Sequence, residues 1–198
     1  MITAVATTKE RILDAAEEIM LRKSFHSVGL NEILSAVKVP KGSFYHYFQS
    51  KEQFGVELLK HYVAEASAHK RRVLLTDELA ENPLERLEAL FDMNIARLFE
   101  NDCKCSCLVV KLASEVATFS DDMRVVLADG MRTWRGYLEK LVIEGQKKKV
   151  IRRDIDPAAA ATMMQDLWMG ASQRSQVERN VAPIRSAAQF IRNYLEPS

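Results

Sequence analysis

The fold is decided by one stretch of sequence, Val39-Pro40-Lys41-Gly42-Ser43-Phe44-Tyr45-His46-Tyr47-Phe48. Pro40 lacks the N–H that a helix interior requires, and Gly42 loosens the backbone, so a tight turn interrupts the helical pattern here. Apolar residues at helical spacing precede the turn at 30–37, and a short aromatic segment follows it. Two short helices joined by a tight turn, with one more helix before them, predict a helix-turn-helix head over residues 1–52.

Local charge, rather than the charge of the whole chain, points to a nucleic-acid partner. The 198 residues include Lys+Arg 28 and Asp+Glu 27, and the net charge of +1 gives no such indication. Residues 38–51 nevertheless carry three lysines and no acidic residue. Tyr45, His46 and Tyr47 lie among these lysines, and their polar ends can form hydrogen bonds to phosphates. The alternative, an aromatic core patch, is less consistent with those polar ends.

Helical periodicity extends from this segment toward both ends of the chain, with apolar residues at i, i+3, i+4 and i+7. Signals for helix starts stand at Thr7–Glu10, Ser50–Gln53, Asn82-Pro83 and Asp156-Pro157. Gly145 and the lysines after it are interpreted as the end of a long helix. The low content of Gly (7) and Pro (5) and the lack of strand-like alternation favour an all-α fold of about nine helices. We expect residues 53–198 to form a second, larger helical domain.

Cys103, Cys105 and Cys107 are the only cysteines, and they are too few and too close for a disulfide framework. Three thiolates could bind zinc or copper, but the four histidines all lie before residue 70, and no metal site is predicted. A buried cysteine can also act simply as a small apolar residue. The third interpretation is a redox or electrophile sensor, because Cys107 stands where a helix begins and helix amides stabilise a thiolate. Cys103 or Cys105 would then be the resolving thiol.

The sequence carries no recognised enzyme motif. A Glu-x-x-His pair, a Gly-rich phosphate loop and a His-Glu-x-x-His zinc motif are all missing, so we expect neither catalysis nor a cofactor. An all-α enzyme that uses a cysteine is the alternative from a different class. With no leader and no apolar run as long as a membrane span, we expect a cytoplasmic protein.

The opening stretch, followed by Ser50-Lys51-Glu52, resembles the signature of TetR/AcrR-type transcriptional repressors. The resemblance implies an all-α homodimer that binds double-stranded operator DNA through N-terminal heads and pairs through its last two helices. It implies that α-helical residues after the turn contact DNA: Lys41, Ser43, Tyr45 and His46. Tyr47 and Lys51 would contact phosphates, and Gly42 would allow the backbone to approach the DNA closely. Phe44 and Phe48 are expected to face the core of the head.

Further segments resemble an electrophile-responsive branch of that family. They are Cys107–Leu112, Ser114–Val116, Ser120–Arg124 and Leu167–Ala171. The resemblance implies that Cys107 is the reactive thiol. Two positions depart from the branch: Ser106 replaces a glycine, and Gln176 replaces the lysine that partners the cysteine, with Arg174 the nearest cation in sequence.

A pocket for an apolar effector is the alternative to covalent sensing. Large side chains on several predicted helices could line it: Met93, Met131, Trp134, Met164 and Trp168. Each of them is also a typical core residue. The sequence therefore predicts a regulator that binds palindromic operator DNA and releases it on effector binding or on modification of Cys107.

Overall fold

The computed structural model describes residues 6–104 and 107–197, and over these residues it contains nine α-helices and no β-strand. In chain order the helices are α1 (Thr8–Met20), α2 (Leu30–Val37), α3 (Lys41–Tyr47), α4 (Lys51–Leu75), α5 (Pro83–Glu100), α6 (Leu108–Val116), α7 (Asp121–Lys147), α8 (Pro157–Glu178) and α9 (Ala182–Leu195). The predicted all-α fold is confirmed.

The predicted helix starts follow from local hydrogen bonding. Thr7 caps α1 in a full capping box with Glu10. The side chain of Asn82 accepts the N–H of Leu84 at the start of α5, and that of Asp156 accepts the N–H of Ala159 at the start of α8. In both cases a proline follows the cap, where its missing N–H costs no helical hydrogen bond.

Gly145 has a different role from the one its sequence suggests. It lies inside α7, which continues to Lys147, and the left-handed residue after the helix is Lys149 (φ 63°). A Cβ at position 145 would overlap the side chain of Ile151, which is 1% exposed. The helix ends at Lys147, within the predicted stretch of Gly145 and the lysines after it, but the glycine itself is required by the close approach of the chain after α7.

The described residues form two compact units. Residues 6–64 and 107–128, here called the head unit, pack together, and residues 65–104 and 129–197 form the body unit. α6 and the first part of α7 thus belong with the N-terminal helices by packing, although they lie far along the chain. The boundary between residues 52 and 53 was drawn from motifs, and it stays a prediction.

Aromatic rings make up much of the head unit's core. Phe44, Phe48 and Phe54 are buried, with ring centroids 4.9–5.3 Å apart. The expected core role of Phe44 and Phe48 is confirmed. Because these rings fix one face of α3, its other faces point away from the core.

The body unit combines an apolar core with one buried cation. Phe91 stacks on Trp168, with centroids 4.2 Å apart and planes 12° from parallel. The side chain of Arg86 is 1% exposed and pairs with Asp77 at 3.0 Å and with Glu144 at 2.6 Å. A buried guanidinium is tolerated only when it is paired in this way.

Candidate nucleic-acid interface and sensor thiol

The turn between α2 and α3 has the geometry of a helix-turn-helix. α2 ends at Lys38 in the left-handed conformation (φ 54°), and the N–H of Lys38 bonds to Leu34 and Ser35. Pro40 then stands in extended conformation as the N-cap of α3. Lys38 takes the position that glycine most often occupies after a helix, and the chain reverses there.

α3 presents one polar face to solvent. Lys41, Gly42 and His46 are exposed, Tyr45 is 57% exposed, and Ser43 and Tyr47 are half-buried. The structure therefore brings together six of the seven predicted DNA-contacting residues on one short helix. Their individual contacts stay predictions.

The charges on this face are not neutralised by the protein. Among the described residues, neither Lys38 nor Lys41 forms an ion pair, so both ammonium groups can meet an external anion. A Cβ added to Gly42 would meet no atom within 4 Å, so the protein's own packing does not require a glycine there. Free cations and a bare backbone on the same helix suit the close approach of a phosphate backbone.

Lys51, the seventh predicted contact residue, is engaged inside the head unit. Its Nζ donates to the carbonyl oxygens of His26 at 3.1 Å and Val28 at 2.9 Å, and it lies 5.3 Å from the ring centroid of Phe25. These contacts bridge more than twenty residues of chain, and no local pattern could reveal them. The phosphate contact of Lys51 stays a prediction, and any such contact would compete with these hydrogen bonds.

The cysteine cluster divides between the two units. The side chain of Cys103 lies in the core of the body unit, 5% exposed, and its N–H bonds to Leu98 at 2.8 Å. Asp102 and Cys103 both adopt the left-handed conformation, with φ of 52° and 53°. Cys105 lies outside the described residues. A buried thiol meets dissolved oxidants slowly, so the structure favours Cys107 over Cys103 as the first thiol to react.

Cys107 occupies the N-cap of α6 and is half-buried. Its carbonyl accepts the N–H of Lys111 at 3.1 Å, and α6 carries no acidic residue in its first turn. Cys107 therefore stands next to the N–H groups that begin α6, on a turn that carries no carboxylate. The structure thus places Cys107 at the start of a helix, as predicted from the sequence.

The predicted pocket residues are mainly core. Trp134, Met164 and Trp168 are buried in the body unit, Met131 is half-buried, and Met93 is 41% exposed. The ammonium group of Lys70 lies 4.3 Å from the ring centroid of Trp134, whose buried indole Nε1 has no hydrogen-bond partner among the described residues. A cavity formed by these side chains stays a prediction.

A groove of about 600 Å³ lies elsewhere in the body unit, between α5 and α9. Leu87, Phe91 and Ile95 form part of its apolar wall, and Arg185 and Arg192 line its α9 side. Sequence reasoning missed this groove because it arises from the packing of two helices that are distant in the chain.

An exposed polar recognition helix, held after a tight turn on an aromatic core, defines a helix-turn-helix regulator. Comparison with known proteins assigns the family: residues 12–58 match bacterial regulatory proteins of the tetR family, and residues 83–191 match the tetracyclin repressor-like C-terminal domain. The chain belongs to the TetR family of transcription regulators. The resemblance found in the sequence is confirmed, and so is the expectation that the protein is a regulator rather than an enzyme.

Individual relatives cover nearly the whole chain. The HTH-type transcriptional repressor NemR of Escherichia coli is 32% identical over 95% of this chain and 94% of that protein. The transcriptional regulator AcuR of Cereibacter sphaeroides is 33% identical over 89% of this chain and 80% of that protein. The crystal structure of reduced NemR superimposes with a TM-score of 0.85, at 31% identity over 96% of this chain and 97% of that one. Among residues 6–104 and 107–197, no helix has the length and apolar character needed to cross a membrane.

Proposed function

We propose that the protein is a dimeric, cytoplasmic repressor that binds palindromic operator DNA and releases it when an electrophile or oxidant modifies Cys107. The observation that carries the proposal is the polar face of α3. Lys41, which forms no ion pair among the described residues, and Gly42 lie on this helix, and the buried rings of Phe44 and Phe48 anchor it. Several relatives named as repressors or regulators support it.

Pairing through α8 and α9 would give the two heads that a palindromic site requires. These helices pack on each other and leave large apolar side chains in water: Val177 is 84% exposed on α8, and Phe190 is 57% exposed on α9. A Cβ on Gly170 of α8 would meet no atom within 4 Å, which leaves room for another helix. Exposed apolar residues on adjacent helices are typical of a subunit interface.

The sensing step follows from thiol chemistry. With an activated alkene, the thiolate sulfur of Cys107 adds to the β-carbon and the α-carbon takes a proton from water, so the reaction needs no oxidant. With a peroxide, the thiolate attacks one oxygen, the O–O bond breaks, and a sulfenic acid forms as hydroxide leaves, or an alkoxide that takes a proton from water. Either product is bulkier than the thiol at a half-buried helix start. A relative of known structure was crystallised in its reduced form, which fits a thiol-dependent state.

Operator binding can be tested with a double-stranded fragment from directly upstream of the gene. We expect sequence-selective binding that weakens steeply as salt rises, because lysine–phosphate contacts release counterions. Unselective binding, equal to that of a scrambled fragment, would contradict the proposal. Phe190→Asp should shift the protein to monomer in sedimentation and weaken operator binding, whereas Phe99→Asp, a control at a 67%-exposed phenylalanine on α5, should do neither.

The thiol mechanism is tested with N-ethylmaleimide and single cysteine variants. We expect the reagent to release the fragment from wild type and from Cys103→Ser, but not from Cys107→Ser. Cys103 is the matched control because its thiol is buried. Full release from Cys107→Ser would remove the thiol from the mechanism while leaving the DNA-binding function intact.

A second candidate is regulation by a noncovalent apolar ligand. The buried indole Nε1 of Trp134 favours it, since this group finds no hydrogen-bond partner in the described part of the chain and a ligand could supply one. Release of DNA from Cys107→Ser by a reversible apolar compound, together with a change in tryptophan fluorescence, would support this candidate.

A further inference from the structure

The turn between α1 and α2 is held by α4 on one side. This turn, residues 25–28, lies in the connection between α1, which ends at Met20, and α2, which begins at Leu30. Lys51, the first residue of α4, donates to two of its carbonyl oxygens, those of His26 and Val28. Phe25 is 1% exposed, and its ring comes so near α4 that a Cβ on Gly55 would lie 2.7 Å from it. The turn therefore cannot move relative to α4 without breaking these contacts.

α6 holds the same turn by different atoms. The carboxylate of Glu115 accepts the backbone N–H of His26 at 3.2 Å, in a solvent-exposed hydrogen bond. The ring of Phe119, three residues after the end of α6, meets the His26 ring edge to face, with centroids 4.8 Å apart and planes 83° apart. The Phe119 ring also lies 6.1 Å from that of Phe25. Glu115 and His26 are 89 residues apart in the sequence, so only the fold brings them together.

α6 is a short rigid link between Cys107 and this turn. It begins at the Cys107 cap and carries Glu115 eight residues later, about 12 Å along the helix axis. Leu108, Leu112 and Val116 are fully buried on its inner face. Because close-packed interiors do not deform continuously, a displacement at the start of α6 shifts the whole helix rather than one turn of it.

From these contacts we infer that the turn 25–28 relays the state of Cys107 to the helix-turn-helix, and that Glu115 and Phe119 are the positioning residues that connect it to α6. This inference rests on the proposed function and specifies its regulation. A shift of α6 changes the hydrogen bond to His26 and the ring contact with Phe119. The turn then moves α2, and with it the position of α3 on the operator, since α2 and α3 are joined by a turn of three residues, 38–40.

The relay can be tested with variants that leave Cys107 and α3 untouched. Glu115→Ala and Phe119→Ala remove the two contacts, and Glu115→Gln keeps an acceptor oxygen as the conservative variant. Ser114→Ala is the matched control, an exposed residue on the same helix. None of the three positions is fully buried, so little stability is lost.

The first readout is the operator Kd after full alkylation by N-ethylmaleimide, divided by the Kd before it. Mass spectrometry verifies the adduct at Cys107. We expect Glu115→Ala and Phe119→Ala to lower this ratio at least about fivefold, Glu115→Gln to restore part of it, and Ser114→Ala to leave it unchanged. A ratio in both alanine variants within about twofold of wild type overturns the relay.

The second readout needs no DNA. Hydrogen–deuterium exchange of the peptide covering residues 21–30 should speed up when Cys107 of wild type is alkylated, because the N–H of His26 loses its carboxylate partner. In Glu115→Ala the exchange should already be fast and should not respond. If alkylation leaves operator binding of wild type intact, the proposed sensing function is contradicted. The exchange measurement still tests the relay separately, because it does not depend on DNA binding. Unchanged exchange in fully alkylated wild type overturns the relay even if DNA is released.

Discussion

Lys41 and Lys51 stand at the two ends of the recognition segment, and their ammonium groups have different surroundings. Lys41 forms no ion pair among the described residues, whereas Lys51 donates to two carbonyl oxygens of the turn 25–28. In sequence the two residues look alike, since each is a lysine beside an aromatic segment. The difference depends on a long-range contact, whereas the family resemblance implies a DNA contact for both.

Substitution separates the two lysines. Lys41→Ala should leave the free energy of unfolding unchanged and lower the slope of log Kd against log salt by about 1, the loss of one phosphate contact. Lys51→Ala should lower the free energy of unfolding by roughly 1 kcal/mol because two hydrogen bonds to a charged donor are lost. Urea unfolding and salt-dependent DNA titration measure the two effects. A stability loss in Lys41→Ala and none in Lys51→Ala would reverse the assignment.

Gly42 tests whether bare backbone on α3 serves DNA rather than the fold. Beyond its own helix, a Cβ there meets no atom of the described residues within 4 Å, so Gly42→Ala should raise the free energy of unfolding by roughly 0.5 kcal/mol through helix propensity. It should also weaken operator binding, because the new methyl group stands where the DNA backbone approaches. Gly136→Ala is the control: its Cβ is equally unobstructed in α7, and it should gain stability with no change in operator Kd. Equal DNA binding by both variants would contradict a role for Gly42.

At the scale of the helices, starts were more predictable than ends. The caps at Thr7, Asn82 and Asp156 use side chains within three residues, so the sequence contains all the groups involved. Near the end of α7, by contrast, the side chain of Ile151 folds back against Gly145. A glycine near lysines is typical of a helix end, and the packing role cannot be distinguished from it without the fold.

Gly145→Ala should therefore destabilise the protein although alanine is the better helix former. The Cβ would overlap the buried side chain of Ile151, and an overpacked core costs about 1–3 kcal/mol, more than the gain of about 1 kcal/mol in propensity. Gly136→Ala in the same helix should change stability in the opposite direction. Thermal or urea unfolding of the two variants measures both signs, and a stabilised Gly145→Ala would show that Ile151 moves aside freely.

At the scale of the whole molecule, what the sequence could not show is how distant segments combine. Helical periodicity predicted the nine helices, but not that residues 107–128 pack with the N-terminal helices. That packing joins Cys107 to the unit that contains α3. Local patterns singled out α3 and Cys107 separately, whereas contacts such as that of Glu115 with His26, which hold α6 against the N-terminal helices, depend on the fold.

Acid stability should depend on paired carboxylates in both units. Burial raises the pKa of Glu144 in the body unit, but hydrogen bonds from Lys148 and Arg86 outweigh it and hold the pKa below its ordinary value of 4.5. In the head unit a hydrogen bond from Lys9 lowers the pKa of Glu57. Groups with lowered folded-state pKa values stabilise the protein above their unfolded pKa and lose that contribution as pH falls through the folded value.

The free energy of unfolding should therefore fall as pH decreases from above 4.5 through the lowered pKa of Glu144. Glu144→Gln should lose roughly 0.5–1 kcal/mol at pH 7, because the carboxylate is partly exposed, and should be less sensitive to acid than wild type. Glu100→Gln is the control, since Glu100 is exposed and forms no ion pair among the described residues. Urea unfolding across this pH range measures the difference. Equal pH dependence of Glu144→Gln and wild type would mean that the pairing of Arg86 with Asp77 alone sustains the buried cation.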